Sequence, residues 1–278
     1  MISFKISFRK SMAVAGVGLR KLPRNPRFYL LLGMIILFVY EAITPIREFS
    51  MQVGYRVTPW VFSALMSSNF FRFVFPLGLV LLFCDAPFMD AGQPLLMVRA
   101  GKKNWCAGQL IYIAICTGVY FLAIFIIQCL VLMPYLTFQS SWGRVITTIS
   151  ATTGMSGGLF FSRTLIEPFT GVTTTLLYFT ALWLAGTMLG AVMFALNLRF
   201  KRAIGAMVAT AIILMQGFVM FIEQAAKISP FSFIQPRFYT GGGYISIIYA
   251  VLFALLIILT VLSMRTVLTK DINTLPEI

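Results

Sequence analysis

QLIYIAICTGVYFLAIFIIQCLVLM, residues 109–133, contains no charged side chain. A helix crosses the hydrocarbon core of a bilayer with about 20 mostly apolar residues, and this run is longer than that. Outward from it, five more runs read as spans: Phe28 to Ile46, Val61 to Cys84, Gly171 to Leu196, Ala203 to Ile222 and Tyr244 to Met264. The second is the least clean, because Ser67, Ser68, Asn69 and Arg72 fall inside it. The expected fold is therefore an all-α, polytopic membrane protein with six transmembrane helices. Residues 28–264 form one transmembrane domain, preceded by residues 1–27 and followed by a tail, 265–278.

Composition supports the same class. Of 278 residues 59% are apolar and 11% are charged, against roughly 25% charged in soluble domains. A water-soluble fold is excluded, and so is disorder, which goes with a shortage of apolar residues. There is no histidine, which removes His-based catalysis and His metal ligation; no catalytic, cofactor or metal site is expected. Cys84, Cys106, Cys116 and Cys129 show no CxxC spacing and read as packing residues.

Orientation follows from the cations. The formal net charge is +14. Fifteen of the 22 Lys and Arg lie in residues 1–27, 85–108, 197–202 and 265–278, while residues 47–60, 134–170 and 223–243 hold two each. Cytoplasmic segments are the positive ones, so both termini are expected inside. Such cations serve orientation and anionic lipids rather than nucleic acid. Val145 to Phe161 is uncharged but short and rich in Thr, Ser and Gly. It reads as an element of the outer loop, 134–170, and not as a seventh span.

Two cytoplasmic segments carry further information. Phe4, Phe8, Met12, Ala15, Leu19 and Leu22 recur every three or four residues, which puts them on one helical face. With Lys5, Arg9, Lys10, Arg20 and Lys21 beside them, they predict an amphipathic helix in the membrane interface; the alternative is a solvated basic tail. Pro23 and Pro26 end that helix. The loop 85–108 begins Asp85-Ala-Pro-Phe-Met-Asp90, with both aspartates placed to cap short helices. It continues through an apolar patch at Leu95, Leu96 and Val98 to Arg99, Lys102, Lys103 and Trp105. It suits either partner docking or the mere setting of topology.

At these residues the chain resembles the type-2 ABC-transporter permeases. The resemblance rests on the interfacial helix leading into Arg24-Asn-Pro-Arg-Phe-Tyr29. It rests also on the acidic start, Leu-rich middle and Arg-Ala-Gly-Lys-Lys end of the 85–108 loop, and on Ser229-Pro230 before the last span. It implies an ATP-driven exporter of hydrophobic, lipid-like or peptide cargo in a bacterial cell membrane. Two permease subunits would pair, as a homodimer or a heterodimer, and each would dock a nucleotide-binding ATPase subunit. The coupling residues would be Asp85, Pro87, Phe88, Asp90, Leu95, Leu96, Arg99, Lys102, Lys103 and Trp105. The outer segment 223–243 would dip back into the membrane over Ile228 to Gly243. No G-x-x-x-x-G-K-[ST] motif occurs, so ATP and Mg would be held by the partner and the chain itself is not expected to be an enzyme.

Three smaller expectations complete the reading. Glu41 and Arg72 lie at similar depth below the outer surface and suggest an intramembrane charge pair or a polar patch on a translocation path. Gly186 and Gly190 are four apart, a spacing that lets helices approach closely within a subunit or between two. Trp60 and Trp142 should sit at the outer interface and Trp105 at the inner one. A standalone immunity-type protein or secondary carrier, without an ATPase partner, is the competing function. Glu41 is the single acid available to an ion-coupled carrier within the spans, which weighs against that class.

Overall fold

The computed structural model describes residues 6–269 apart from 69, 91, 153, 157, 162, 201 and 220–243. Helix α1 spans Phe8–Lys21 and α2 spans Pro26–Val53. Asn25 starts α2 by accepting a hydrogen bond from the Arg27 backbone N–H at 3.0 Å, with Pro26 in the first turn. A proline there loses nothing, since the first helical N–H groups have no intrahelical partner. Gly54 ends α2 at φ 73°, a left-handed turn that glycine adopts without cost. Then follow α3 (Phe62–Ser67), α4 (Phe71–Phe83), α5 (Gln93–Ala100), α6 (Lys102–Leu132), α7 (Gly143–Thr152) and α8 (Arg163–Ile166). The chain continues through α9 (Gly171–Arg199), α10 (Arg202–Val219) and α11 (Tyr244–Thr269). Between α7 and α8, Met155–Ser156 and Leu159–Phe160 pair as a small antiparallel ribbon, β1 and β2.

Among the described residues four helices are long and apolar enough to cross a membrane: α2, α6, α9 and, over Tyr249–Thr269, α11. A fifth crossing follows if α3 and α4 count together. This is a helical, multi-pass membrane protein. The apolar part of α10, Ile204–Gln216, is shorter. The segment 145–161 is α7 plus the ribbon, and its ten-residue helix rises about 15 Å, half a hydrocarbon core.

The second expected span is not one helix. A segment from Pro59 to Ser67 and α4 are bent against each other by 89°. Ser68 is extended, its hydroxyl accepting from the Phe71 backbone N–H at 3.4 Å, and the Ser67 hydroxyl turns back onto the Ala64 carbonyl. Serine side chains that bond nearby backbone compete with a continuous helix. The thirteen residues of α4 rise about 20 Å, short of the 30 Å core.

Helices α6 and α9 form the centre of the bundle. Helix α6 packs against α1, α2, α5, α9 and α11, and α9 against α4, α10 and α11. Gly186 and Gly190 make the α9 contacts possible. A Cβ on Gly186 would lie 2.6 Å from Thr117 and 2.7 Å from Leu79, and one on Gly190 would lie 2.5 Å from Ile113. Both face α4 and α6 of the same chain, so the small-residue pair serves packing within the subunit. Tyr249 donates to the Leu177 carbonyl at 2.8 Å, which starts α11 beside the beginning of α9. The two helices run parallel, and residue 269 finishes at the end of the bundle where α1 lies.

Candidate functional site

The residues expected to couple the chain to a partner gather at one end of the bundle. Helix α5 lies there across the start of α6. Its residues divide by helical phase: Gln93 and Met97, one turn apart, are buried, Leu96 is half-buried, and Leu95, Val98 and Arg99 face outward. Leu95 is 57% and Val98 69% exposed. Of the apolar patch expected at Leu95, Leu96 and Val98, Leu95 and Val98, three residues apart, face outward together and Leu96 turns partly inward, with Arg99 at the edge in the last turn. A cation there also suits the helix dipole.

The buried side of α5 is fixed by amides. Trp105 donates its indole N–H to the Gln93 side-chain oxygen at 2.8 Å, and Gln109 donates to the same oxygen at 3.2 Å. Trp105 is fully buried and its ring meets Phe194 of α9 at 6.1 Å. Trp105, expected near the inner interface, lies in the first turn of α6 enclosed by protein, where it is a brace between α5, α6 and α9. Asn197, at the end of α9, donates to the Ala86 carbonyl at 2.7 Å and accepts from the Gly205 backbone N–H at 2.8 Å. The segment after α4 is thereby tied to the turn between α9 and α10.

The two aspartates act differently from the capping expected of them. Asp90 does not cap α5, whose N-cap is Gly92; it accepts from the Gly92 backbone N–H at 2.9 Å in the turn before the helix and pairs with Lys21 of α1. Asp85 does not cap a helix; it pairs with Arg27 at the start of α2. Arg27 also donates to the Cys84 sulfur at 2.7 Å. Pro87 follows a cis peptide bond, and Phe88, at φ 56°, packs edge-on against Phe83 and Tyr112. Lys102 and Lys103 open α6, half-buried.

Helix α1 is held against α6 more closely than an interfacial helix requires. Ser11, Val14 and Ala15 are buried. A Cβ on Gly108 would lie 2.5 Å from Val14, and one on Gly18 would lie 2.8 Å from Tyr112. The apolar stripe read from the sequence is consequently shared. Ala15 and Leu19 pack on the bundle, whereas Phe8 and Met12 stay exposed. Phe4 lies outside the described residues, as do 220–243, which include the expected re-entrant segment. Between α1, residues 85–93 and α6 a pocket of about 430 Å³ opens, with Lys21, Arg24, Asp85, Asp90, Gln93 and Gln109 among its walls.

The remaining expected site is not assembled. Glu41 is exposed on α2, while Arg72 is 5% exposed at the start of α4, with its guanidinium over the Phe73 ring. No ion pair joins them; among the described residues the ion pairs are Lys21–Asp90 and Arg27–Asp85. The break between α3 and α4 turns the first residues of α4 away from the phase that a continuous helix would have given them.

Comparison with known proteins finds no matching family model, curated protein or solved structure.

Proposed function

We propose that the chain is the permease subunit of an ATP-driven exporter of the type-2 ABC class. It crosses a bacterial cell membrane six times, with both termini in the cytoplasm, and pairs with a second permease subunit. A separate nucleotide-binding subunit, which holds ATP and Mg, docks on α5 with α1 alongside. The cargo is hydrophobic, lipid-like or a peptide.

One observation carries this reading: α5 is exposed on its apolar outer side and hydrogen-bonded to α6 on its inner side. A short helix so mounted presents a docking face and passes motion of that face into a membrane-spanning helix. The distribution of cations supports the orientation. Residues 85–108 and 197–202, both rich in Lys and Arg, share one end of the bundle with α1, and the positive end is the cytoplasmic one.

Expression of the chain with its genomic neighbours, followed by purification in a mild detergent, tests the proposal. A stoichiometric ATP-hydrolysing subunit should come with it. Recovery of the chain alone from its native membranes would discard the ABC reading and favour a standalone immunity-type protein or carrier.

A further inference from the structure

The 430 Å³ pocket at the α1 end is of the size that holds small ligands, about 300–1,000 Å³. Its charged walls are balanced: Lys21 is ion-paired with Asp90, Asp85 is ion-paired with Arg27 just outside the lining, and Arg24 stands beside them, so a ligand there meets dipolar pairs and not a single net charge. The side-chain amides of Gln93 and Gln109 stand beside them. A second, apolar crevice of about 60 Å³ adjoins it between α2, α4 and α6. The two share Leu22. Along α6 their walls form one continuous face, Gln109 and Tyr112 in the polar pocket and then Cys116, Val119, Tyr120 and Ala123 in the crevice.

Depth fixes what such a pair of cavities can take. Gln109 lies seven residues beyond Lys102, the start of α6, or about 10 Å along the helix axis. Residues 116–123 lie about 21–32 Å along it. The polar pocket is thus at the level of lipid headgroups and the crevice at the level of acyl chains. The crevice is too small to enclose a molecule, so it holds a length of chain whose remainder lies in the bilayer. Walls carrying two cations and two anions match a phosphate joined to an ammonium better than a purely anionic head.

We propose that the pocket and crevice together bind one zwitterionic glycerophospholipid, its phosphate towards Lys21 and Arg24, its ammonium towards Asp85 and Asp90, and one acyl chain against Val119 and Leu32. The lipid lies beneath the Lys21–Asp90 pair that joins α1 to the α5 segment, against the face of α6. The inference rests on the membrane reading alone and is independent of an ATPase partner.

Native mass spectrometry of the full chain, stripped of lipid and titrated with phosphatidylethanolamine, tests it. One lipid should bind per chain, about tenfold more tightly than phosphatidylglycerol. Glycerophosphoethanolamine, the same head without chains, should not compete. Arg24→Gln with Asp90→Asn, and separately Val119→Trp in the crevice, should each weaken binding about tenfold. Ile257→Trp, at an exposed position on α11, should leave it unchanged. Unfolding temperatures equal to that of Ile257→Trp verify that the variants are folded. Equal binding of the two lipids, full competition by the free head, or undiminished binding by Val119→Trp would overturn the proposal.

Discussion

The two ends of the bundle are held by different chemistry. At the α7 end, tryptophans donate to backbone carbonyls: Trp142 to Phe169 at 2.7 Å and Trp60 to Gln139 at 2.5 Å. The Thr58 hydroxyl donates to the Trp142 carbonyl at 2.7 Å, and Val57 bridges to residues 135–137 through two backbone hydrogen bonds. Arg163 donates to the Ser150 and Ala151 carbonyls at the finish of α7, where a cation complements the helix dipole. A cavity at this end, lined by Ser63, Trp142 and Phe161, holds about 10 Å³. At the α5 end a neutral amide core is overlaid by two ion pairs that are partly exposed to water, and a 430 Å³ pocket separates them from α6. Exposed ion pairs contribute little and are screened by salt, whereas a neutral bond to a buried carbonyl, such as that from Thr58 to Trp142, is costly to break. The α7 end is built to stay fixed. The α5 end has a fixed floor and a surface that can shift at small cost.

The strongest way to break this contrast is at the floor of the α5 end. Trp105→Ala should lower stability by about 3–5 kcal/mol, because it opens a large cavity and strips the Gln93 oxygen of its indole donor. Thermal unfolding in detergent would measure this, and a change under 1 kcal/mol would remove Trp105 as the brace. Gly190→Leu should follow at about 1–3 kcal/mol, since the added side chain meets Ile113 and Phe83. If Gly190→Leu instead left stability intact while changing the oligomeric state, the glycine would belong to a contact between subunits. At the α7 end, Trp142→Phe should cost about 1–3 kcal/mol by leaving the Phe169 carbonyl without its donor, with no dependence on salt.

What the sequence made legible follows its hydrophobic periodicity. Helices α2, α6, α9 and α11 were readable because long, strongly apolar runs have one stable form in a bilayer. The break between α3 and α4 was foreshadowed by Ser67, Ser68 and Asn69, yet mean hydropathy over the window hides three polar residues. Glu41 and Arg72 were matched by depth, and depth says nothing of which face each residue occupies. Helical phase also explains the docking patch. Adjacent residues are turned by about 100° from one another, so Leu95 and Leu96 cannot share a face, whereas Leu95 and Val98 can. The burial of Trp105 had no sequence signal, because the acceptor that draws it inward is Gln93, twelve residues away.

A smaller effect sharpens the contrast. Asp90→Asn should cost between 0 and about 1 kcal/mol, and the loss should shrink further in high salt, because Lys21 and Asp90 are both well exposed. A larger, salt-independent loss would place that pair in the floor of the site.

Photo-crosslinking in native membranes tests the central claim most directly. A photoreactive amino acid is placed at Val98, exposed on α5, and separately at Phe138, which is 72% exposed near the α7 end. The account predicts that Val98 captures an ATP-binding protein and Phe138 does not. Capture of no ATP-binding protein from Val98, or equal capture from both positions, would contradict it.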